Sequence, residues 1–215
     1  MTSEQSGEGR SARDLALFDF DGTLTLRETF PDFMRYAVAR WRLVVGGALL
    51  APVVFGYRRG WVAGNPTRAS IVQMGLRGVD AACLRAQGEA FARDVLPGVL
   101  RPAAMARLAW HRERGDRIVV VSGGLDVYLA PWCAAQGVEL LCSVLAERNG
   151  RISGYAGPQC VGEEKVRRVR ALCDPAAYAA VHAYGDTHED HALLAIAQHR
   201  TYRGRLLSPD APLPL

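Results

Sequence analysis

Leu15-Ala16-Leu17-Phe18-Asp19-Phe20-Asp21-Gly22-Thr23 decides the fold: an apolar run of strand length passes directly into two carboxylates and a glycine-containing turn. Carboxylates placed where a strand gives way to a turn make a site rather than a structural element. Burying them beside an apolar strand is costly unless they are paired. A hard divalent cation offsets that cost, and Mg2+ suits the place, since it is usually held by one or two carboxylates together with waters and substrate phosphate. The plainer alternative is a strand end with two solvated aspartates and the Thr23 hydroxyl capping the turn. The rest of the chain has to decide between them.

The chain's 215 residues suffice for one substantial domain, or for a core domain carrying a smaller insertion. An apolar fraction of 49% with 22% charged residues is that of a soluble globular protein. A net charge of only +4, with arginines scattered along the chain, gives no basic tract and makes nucleic acid an unfavoured partner. Cys83, Cys133, Cys142, Cys160 and Cys173 are odd in number and lack a C-x-x-C spacing, so neither a disulfide framework nor a zinc site is expected. A reducing, cytoplasmic setting follows. Residues 1–13 are polar, carry no apolar signal region and read as a disordered leader. One bias is sharper. Lys165 is the sole lysine among 26 basic residues, as if kept where a compact ammonium serves and a planar guanidinium does not.

After the first strand the chain reads as helix for a long way. Glu28 to Arg42 places Phe30, Phe33, Met34, Ala37, Val38 and Trp41 on one face. Leu43 to Phe55 is very apolar, is interrupted by Gly46-Gly47 and Pro52, and is flanked by Arg40, Arg42, Arg58 and Arg59. It falls short of the roughly 20 residues of a membrane-spanning helix. Two readings stay open for it: the buried core of the inserted block, which the helix breakers favour, or an arm docking at a membrane interface through apolar residues and anionic headgroups. Further helices are predicted from Asn65, with Ile71, Met74 and Leu76 inward, and from Ala81 to Val95. Beyond Pro97-Gly98 strands alternate with helices. Ile118 to Val121 is a continuous β-branched run of the kind buried on both faces in parallel sheets, Leu140 to Leu145 and Ala180 to Tyr184 follow as strands, and Asn149-Gly150 signals a hairpin. The expectation is an α/β doubly wound parallel sheet formed by residues 14–27 and 96–207, a helical cap over 28–95, and an irregular Pro-rich tail over 208–215.

Ligands in such sheets bind outside the carboxyl ends of the strands, and polar clusters fall there. Ser122-Gly123-Gly124 offers a hydroxyl and backbone amides for a phosphate; an ordinary helix cap is the alternative. Glu163 to Leu172 reads as a helix with Lys165 near its start after Gly162-Glu163-Glu164; a solvated surface lysine paired with those glutamates is the alternative. Tyr184-Gly185-Asp186-Thr187-His188-Glu189-Asp190 frames a strand-to-helix turn with two further aspartates, where the alternative is a capping Asp with an acidic first turn. His188 and His191, three apart, read as surface or core residues, as do Cys133 and Cys142 in their apolar context. Arg68 and Arg77 are candidate substrate contacts.

Taken in order, D-x-D-G-T, a hydrophobic strand ending in Ser, a Lys and G-D-x-x-x-D resemble the haloacid dehalogenase superfamily over residues 15 to 200, with the helical block similar to its type-1 cap. Val121-Ser122-Gly123-Gly124 and Tyr184-Gly185-Asp186-Thr187 look like the phosphoserine phosphatase-like branch. Gly162-Glu163-Glu164-Lys165-Val166, Gln198-His199-Arg200 and the apolar cap segment look like the phosphatidylglycerophosphatase C group. The resemblance implies an Mg2+-dependent phosphomonoesterase with Asp19 as nucleophile and Asp21 as acid and base. Metal would be held by Asp19, the Asp21 carbonyl and Asp186, with Asp190 behind them. Ser122, Gly123, Thr23 and Lys165 would take the phosphoryl oxygens. The implied substrate is a small-molecule or lipid phosphate, with contact through 43–57 at the inner face of the membrane as the open alternative. Phosphotransfer or mutase chemistry, or a non-catalytic binding role, are the other readings.

Overall fold

The computed structural model describes residues 13–59, 64–208 and 211–213; the expected leader, apart from Arg13, and part of the expected tail lie outside them. Leu15–Phe18 forms β1, fully buried on both faces. Ala16 and Phe18 face one core, Leu17 and Leu15 the other, which is why the run shows no polar alternation. β1 is central. It pairs in parallel with β2 (Arg117–Leu125) on one side and β6 (Val181–Gly185) on the other. β3 (Glu139–Ser143) extends the sheet beyond β2, and β7 (His199–Tyr202) beyond β6, both parallel. A two-residue strand β8 (Arg205–Leu206) closes the edge antiparallel to β7. Helices α7 (Glu163–Leu172) and α8 (His191–Ala195) cover one face; α5 (Pro102–Glu113) and α6 (Asp126–Gln136) cover the other. The doubly wound α/β sheet is as expected.

Between β1 and α5 the described residues form four α-helices, α1 (Phe30–Ala37), α2 (Arg40–Arg58), α3 (Gly64–Leu76) and α4 (Ala81–Asp94). The two chain segments leading into and out of them run side by side, Thr25 bridging to Leu100. An aromatic cluster fastens this block to the sheet domain: the Phe33 ring lies 4.8 Å from Tyr128 of α6, and Phe91 of α4 lies 5.3 Å from Phe33 and 5.5 Å from Tyr128. The α4 backbone approaches α6 so closely that a Cβ on Gly88 would stand 2.0 Å from the Val127 carbonyl oxygen. Gly88→Ala should therefore destabilise the protein by about 2 kcal/mol, because the backbone of α6 cannot step aside as a side chain can. Urea denaturation checks this; an unchanged midpoint would mean the two helices do not meet as described.

The helical block also meets a part of the chain far from it in sequence. The hairpin β4 (Leu145–Arg148) and β5 (Arg151–Tyr155), turned by Asn149 and Gly150 at φ 51° and 74°, docks on it. The amides of Gly78 and Ala81 donate to the carbonyls of Ile152 and Gly150. Of the two readings left open for Leu43 to Phe55, the buried core interrupted by helix breakers does not hold. The segment lies within the single helix α2, running through Gly46-Gly47 and Pro52. Gly46 is buried against Met74 of α3, so the small residue serves helix–helix approach. Much of the surface of α2 faces water: Trp41 is 65% exposed, Val44 72%, Leu49 63% and Phe55 51%. No described helix is long and apolar enough to cross a membrane. In α3, Val72 rather than Met74 joins Leu76 in the core.

Candidate active site

The site is assembled where β1 and β6 end. The Asp19 amide donates to the Tyr184 carbonyl, 2.9 Å, as the last rung between them. The chain then turns through Gly22 at φ +78°, a conformation that favours glycine. The missing side chain matters as much as the turn, since a Cβ there would lie 2.1 Å from Asp186 Oδ2. That space is what lets the Asp186 carboxylate come in beside the β1 loop. Asp19 is 6% exposed and Lys165, delivered by the first turn of α7, is 2% exposed. The Lys165 ammonium donates to Asp19 Oδ1 at 2.6 Å and to Asp190 Oδ1 at 2.5 Å. The other Asp190 oxygen accepts the amides of Asp186 and Thr187, each at 3.0 Å. Asp190 thus ties the strand-to-helix turn to the lysine.

Burial disfavours the charge on Lys165, but the carboxylates of Asp19 and Asp190 outweigh it and raise its pKa, so the ammonium persists. Burial raises the Asp19 carboxyl against the pull of Lys165. For Asp190 burial is overcome by Lys165 and by the turn amides, and its pKa is lowered. Asp186 is pushed up to about 6, first by burial and then by the Asp190 charge. Asp21 points elsewhere. Its Oδ1 accepts the amide of Thr29 at 2.8 Å and the Thr29 hydroxyl at 2.6 Å, while burial, the larger influence, raises its pKa. Asp19, Asp21, Ser122, Gly123, Lys165 and Asp186 share a cavity of about 100 Å3. Its wall is completed by Glu28 and Arg68 from the helical side, and Arg68 Nη1 reaches Glu189 Oε2 at 3.3 Å.

Carboxylate oxygens of Asp19, Asp186 and Asp190 all lie within 4.8 Å of one another. Hard oxygen donors at that spacing, with the carboxyls of Asp19 and Asp186 raised chiefly by burial, suit a hard divalent cation. Residues 16–195 match the family described as haloacid dehalogenase-like hydrolase. The chain belongs to that family. Protein CicA of Caulobacter vibrioides, over 196 aligned residues, is 36% identical to this haloacid dehalogenase-like hydrolase, spanning 88% of it and 85% of CicA. A solved protein of unknown function from Bordetella pertussis Tohama I superposes with a TM-score of 0.74 at 25% identity, over 88% of this chain and 89% of that one. A substrate-bound phosphoserine phosphatase superposes with a TM-score of 0.64 at 16% identity, over 88% and 86% of the two chains. This last likeness establishes the shared fold.

Two predicted placements differ in this haloacid dehalogenase-like hydrolase. Thr23 does not line the cavity with Asp19. Its hydroxyl donates to Asp186 Oδ1 at 3.3 Å, on the far side of that carboxylate, because the turn at Gly22 reverses the chain before Thr23. Ser122-Gly123-Gly124 is not a helix-start loop, since β2 runs on to Leu125 with an irregularity after Ser122. The Gly124 amide is spent on Ser122 Oγ at 3.0 Å, so that amide is not free to cradle an anion. Arg68 reaches the cavity, whereas Arg77 is exposed outside it. His188 lines the cavity as well. Thr29 was missed, and its position eight residues beyond Asp21, just before a helix, reads as nothing more than a cap.

Proposed function

We propose that this enzyme hydrolyses phosphate monoesters through an aspartyl-phosphate on Asp19. The observation that carries the reading is the pairing of a buried Asp19 with Lys165 at the end of β1, beside an Asp21 whose carboxyl is raised toward its acid form. The Asp19 carboxylate attacks phosphorus as the ester oxygen departs, and Asp21 gives that oxygen its proton. Asp21, now a carboxylate, takes a proton from water; the water oxygen displaces Asp19 and inorganic phosphate leaves. Lys165 and Ser122 bind phosphoryl oxygens, and Lys165 screens Asp19 from the dianion it attacks. Asp19, Asp186 and the Asp21 carbonyl, with Asp190 behind them, would hold Mg2+, which would supply neutralisation of the phosphoryl charge. Thr29 fixes the reach of Asp21. Residues 28–95 act as the cap over the cavity, contributing Glu28 and Arg68.

Phosphate release from phosphoserine, histidinol phosphate, glycerol phosphates and lipid phosphates, with and without Mg2+, tests this. Turnover by a substrate of this set with water as sole acceptor, abolished by chelator, is expected. Activity that survives chelation, or that appears only with an alcohol acceptor, would overturn it in favour of metal-independent hydrolysis or of phosphotransfer. Asp21→Asn should slow release by about 10²–10⁴-fold, with phosphorylated protein accumulating in intact-protein mass spectra. A near-normal rate would remove Asp21 from both proton transfers.

The exposure of α2 favours a lipid-linked substrate over a free one. A helix that is apolar around much of its surface needs burial in something, and from Arg40 to Arg59 it carries arginines and no acidic residue. The cavity of about 100 Å3 takes a phosphate and little else, leaving a larger substrate body outside it. We place α2 in the interface of an anionic membrane, on the cytoplasmic side, with its arginines at the headgroups. Co-sedimentation with anionic vesicles should be strong at low salt, weaken as salt rises, and be lost in a Val45→Asp, Leu49→Asp double variant that keeps its circular dichroism. A protein left in the supernatant at low salt would end the interfacial reading.

A further inference from the structure

Asp186 separates two cavities, and it is the one residue their walls share. The second, about 670 Å3, lies between α5 and the β6–β7–β8 edge of the sheet, behind the loops that carry the catalytic groups. It is several times larger than the catalytic cavity and within the range of about 300–1,000 Å3 typical of small-molecule sites. Its composition is one-sided. Arg101, Arg107 and Arg203 surround it, while its lone carboxylate, Asp186, already accepts the Thr23 hydroxyl. Among the described residues none of these three arginines has a carboxylate partner. Arg101 donates to the carbonyls of Gly22 and Thr25 at 3.1 and 3.4 Å, Arg203 donates to the Asp186 carbonyl at 2.9 Å, and Arg107 lies over the Trp110 ring. Each guanidinium has five N–H donors, so these contacts leave most of them for a ligand. The lining also includes flat rings: His182 and His199 stack with centroids 4.4 Å apart, next to Tyr184.

We propose that this cavity binds an organic polyanion with a flat body and carboxylate groups. Three guanidinium forks at its rim match carboxylates by charge and by planar geometry, and the ring-lined floor matches the body. Such a ligand competes with nothing in the catalytic cavity. It bears on that cavity through the two carbonyls, of Gly22 and Asp186, that Arg101 and Arg203 grip.

Benzene-1,3,5-tricarboxylate, a flat trianion with no phosphate to hydrolyse, is the probe, titrated calorimetrically into the full chain. One molecule should bind per chain. Arg107→Glu, an exposed position away from the catalytic cavity, should weaken binding at least about tenfold through lost attraction and added repulsion. Ala104→Trp, which fills the cavity without changing charge, should do the same, whereas Arg68→Ala in the catalytic cavity should leave the affinity within about twofold. Loss of binding in Arg68→Ala with wild-type affinity in Arg107→Glu would place the anion in the catalytic cavity and overturn the proposal. So would the absence of binding at millimolar probe.

Discussion

Asp19→Asn should abolish phosphate release, by a factor on the order of 10⁴ or more, while the protein stays folded. The amide nearly matches the carboxylate in shape, and its oxygen still accepts a hydrogen bond from the Lys165 ammonium, now 2.6 Å from Asp19 Oδ1. What it lacks is the lone-pair nucleophilicity to attack phosphorus, and removing a nucleophile from a set that works as a unit forfeits nearly the whole chemical acceleration. The cost to stability is about 1 kcal/mol, the difference between a charge-assisted and an ordinary hydrogen bond. Lys165 keeps its second partner, Asp190. Steady-state kinetics beside a thermal melt separates the two effects. A variant that melts like wild type and still turns over substrate would take the nucleophile's role away from Asp19.

Lys165→Ala should damage both stability and activity. The side chain is 2% exposed and stands between two carboxylates. Removing it leaves Asp19 and Asp190 facing each other with no counter-charge, and breaking a buried pair from one side costs about 3–5 kcal/mol. Lys165→Arg should not restore the rate. A guanidinium is broader than an ammonium, and forcing it into a closed space costs about 1–3 kcal/mol in displaced neighbours. Denaturant midpoints and kcat for the two variants check this. A wild-type rate for Lys165→Arg would reduce Lys165 to a charge that any cation can supply.

What the sequence disclosed, it disclosed through local pattern. β1 and the carboxylates after it are adjacent in the chain, so a strand reading and a turn reading sufficed to place Asp19 and Asp21. Lys165 stood out by rarity and Asp186 by its place after an apolar strand. The α7 helix was legible residue for residue, Glu163 to Leu172, because its apolar spacing is regular and a glycine precedes it. Contacts between distant segments were not legible. Thr29 clamps Asp21, and no local signal marks it; Arg68 could be named as a substrate contact, but only packing separates it, on the cavity wall, from Arg77 outside. Thr23 could be assigned to the turn but not to a side of Asp186, since that depends on how Gly22 directs the chain. α2 was misjudged because propensity weighs Gly46-Gly47 and Pro52 as breaks, whereas packing of Gly46 on α3 uses the small residue for close approach. β8, two residues long and exposed, carries too little pattern to be seen at all.

The aspartyl-phosphate is the point on which the account stands, and trapping it is the direct measurement. Enzyme turning over a phosphate ester is quenched, reduced with borohydride, which converts an acyl phosphate to the corresponding alcohol, digested and sequenced by mass spectrometry. Homoserine should appear at position 19, and at no other aspartate, in the turning-over sample, and should be absent from enzyme without substrate. Reduction at Asp21 or Asp186 instead, or efficient phosphate release with position 19 unmodified at every quench time, would contradict it.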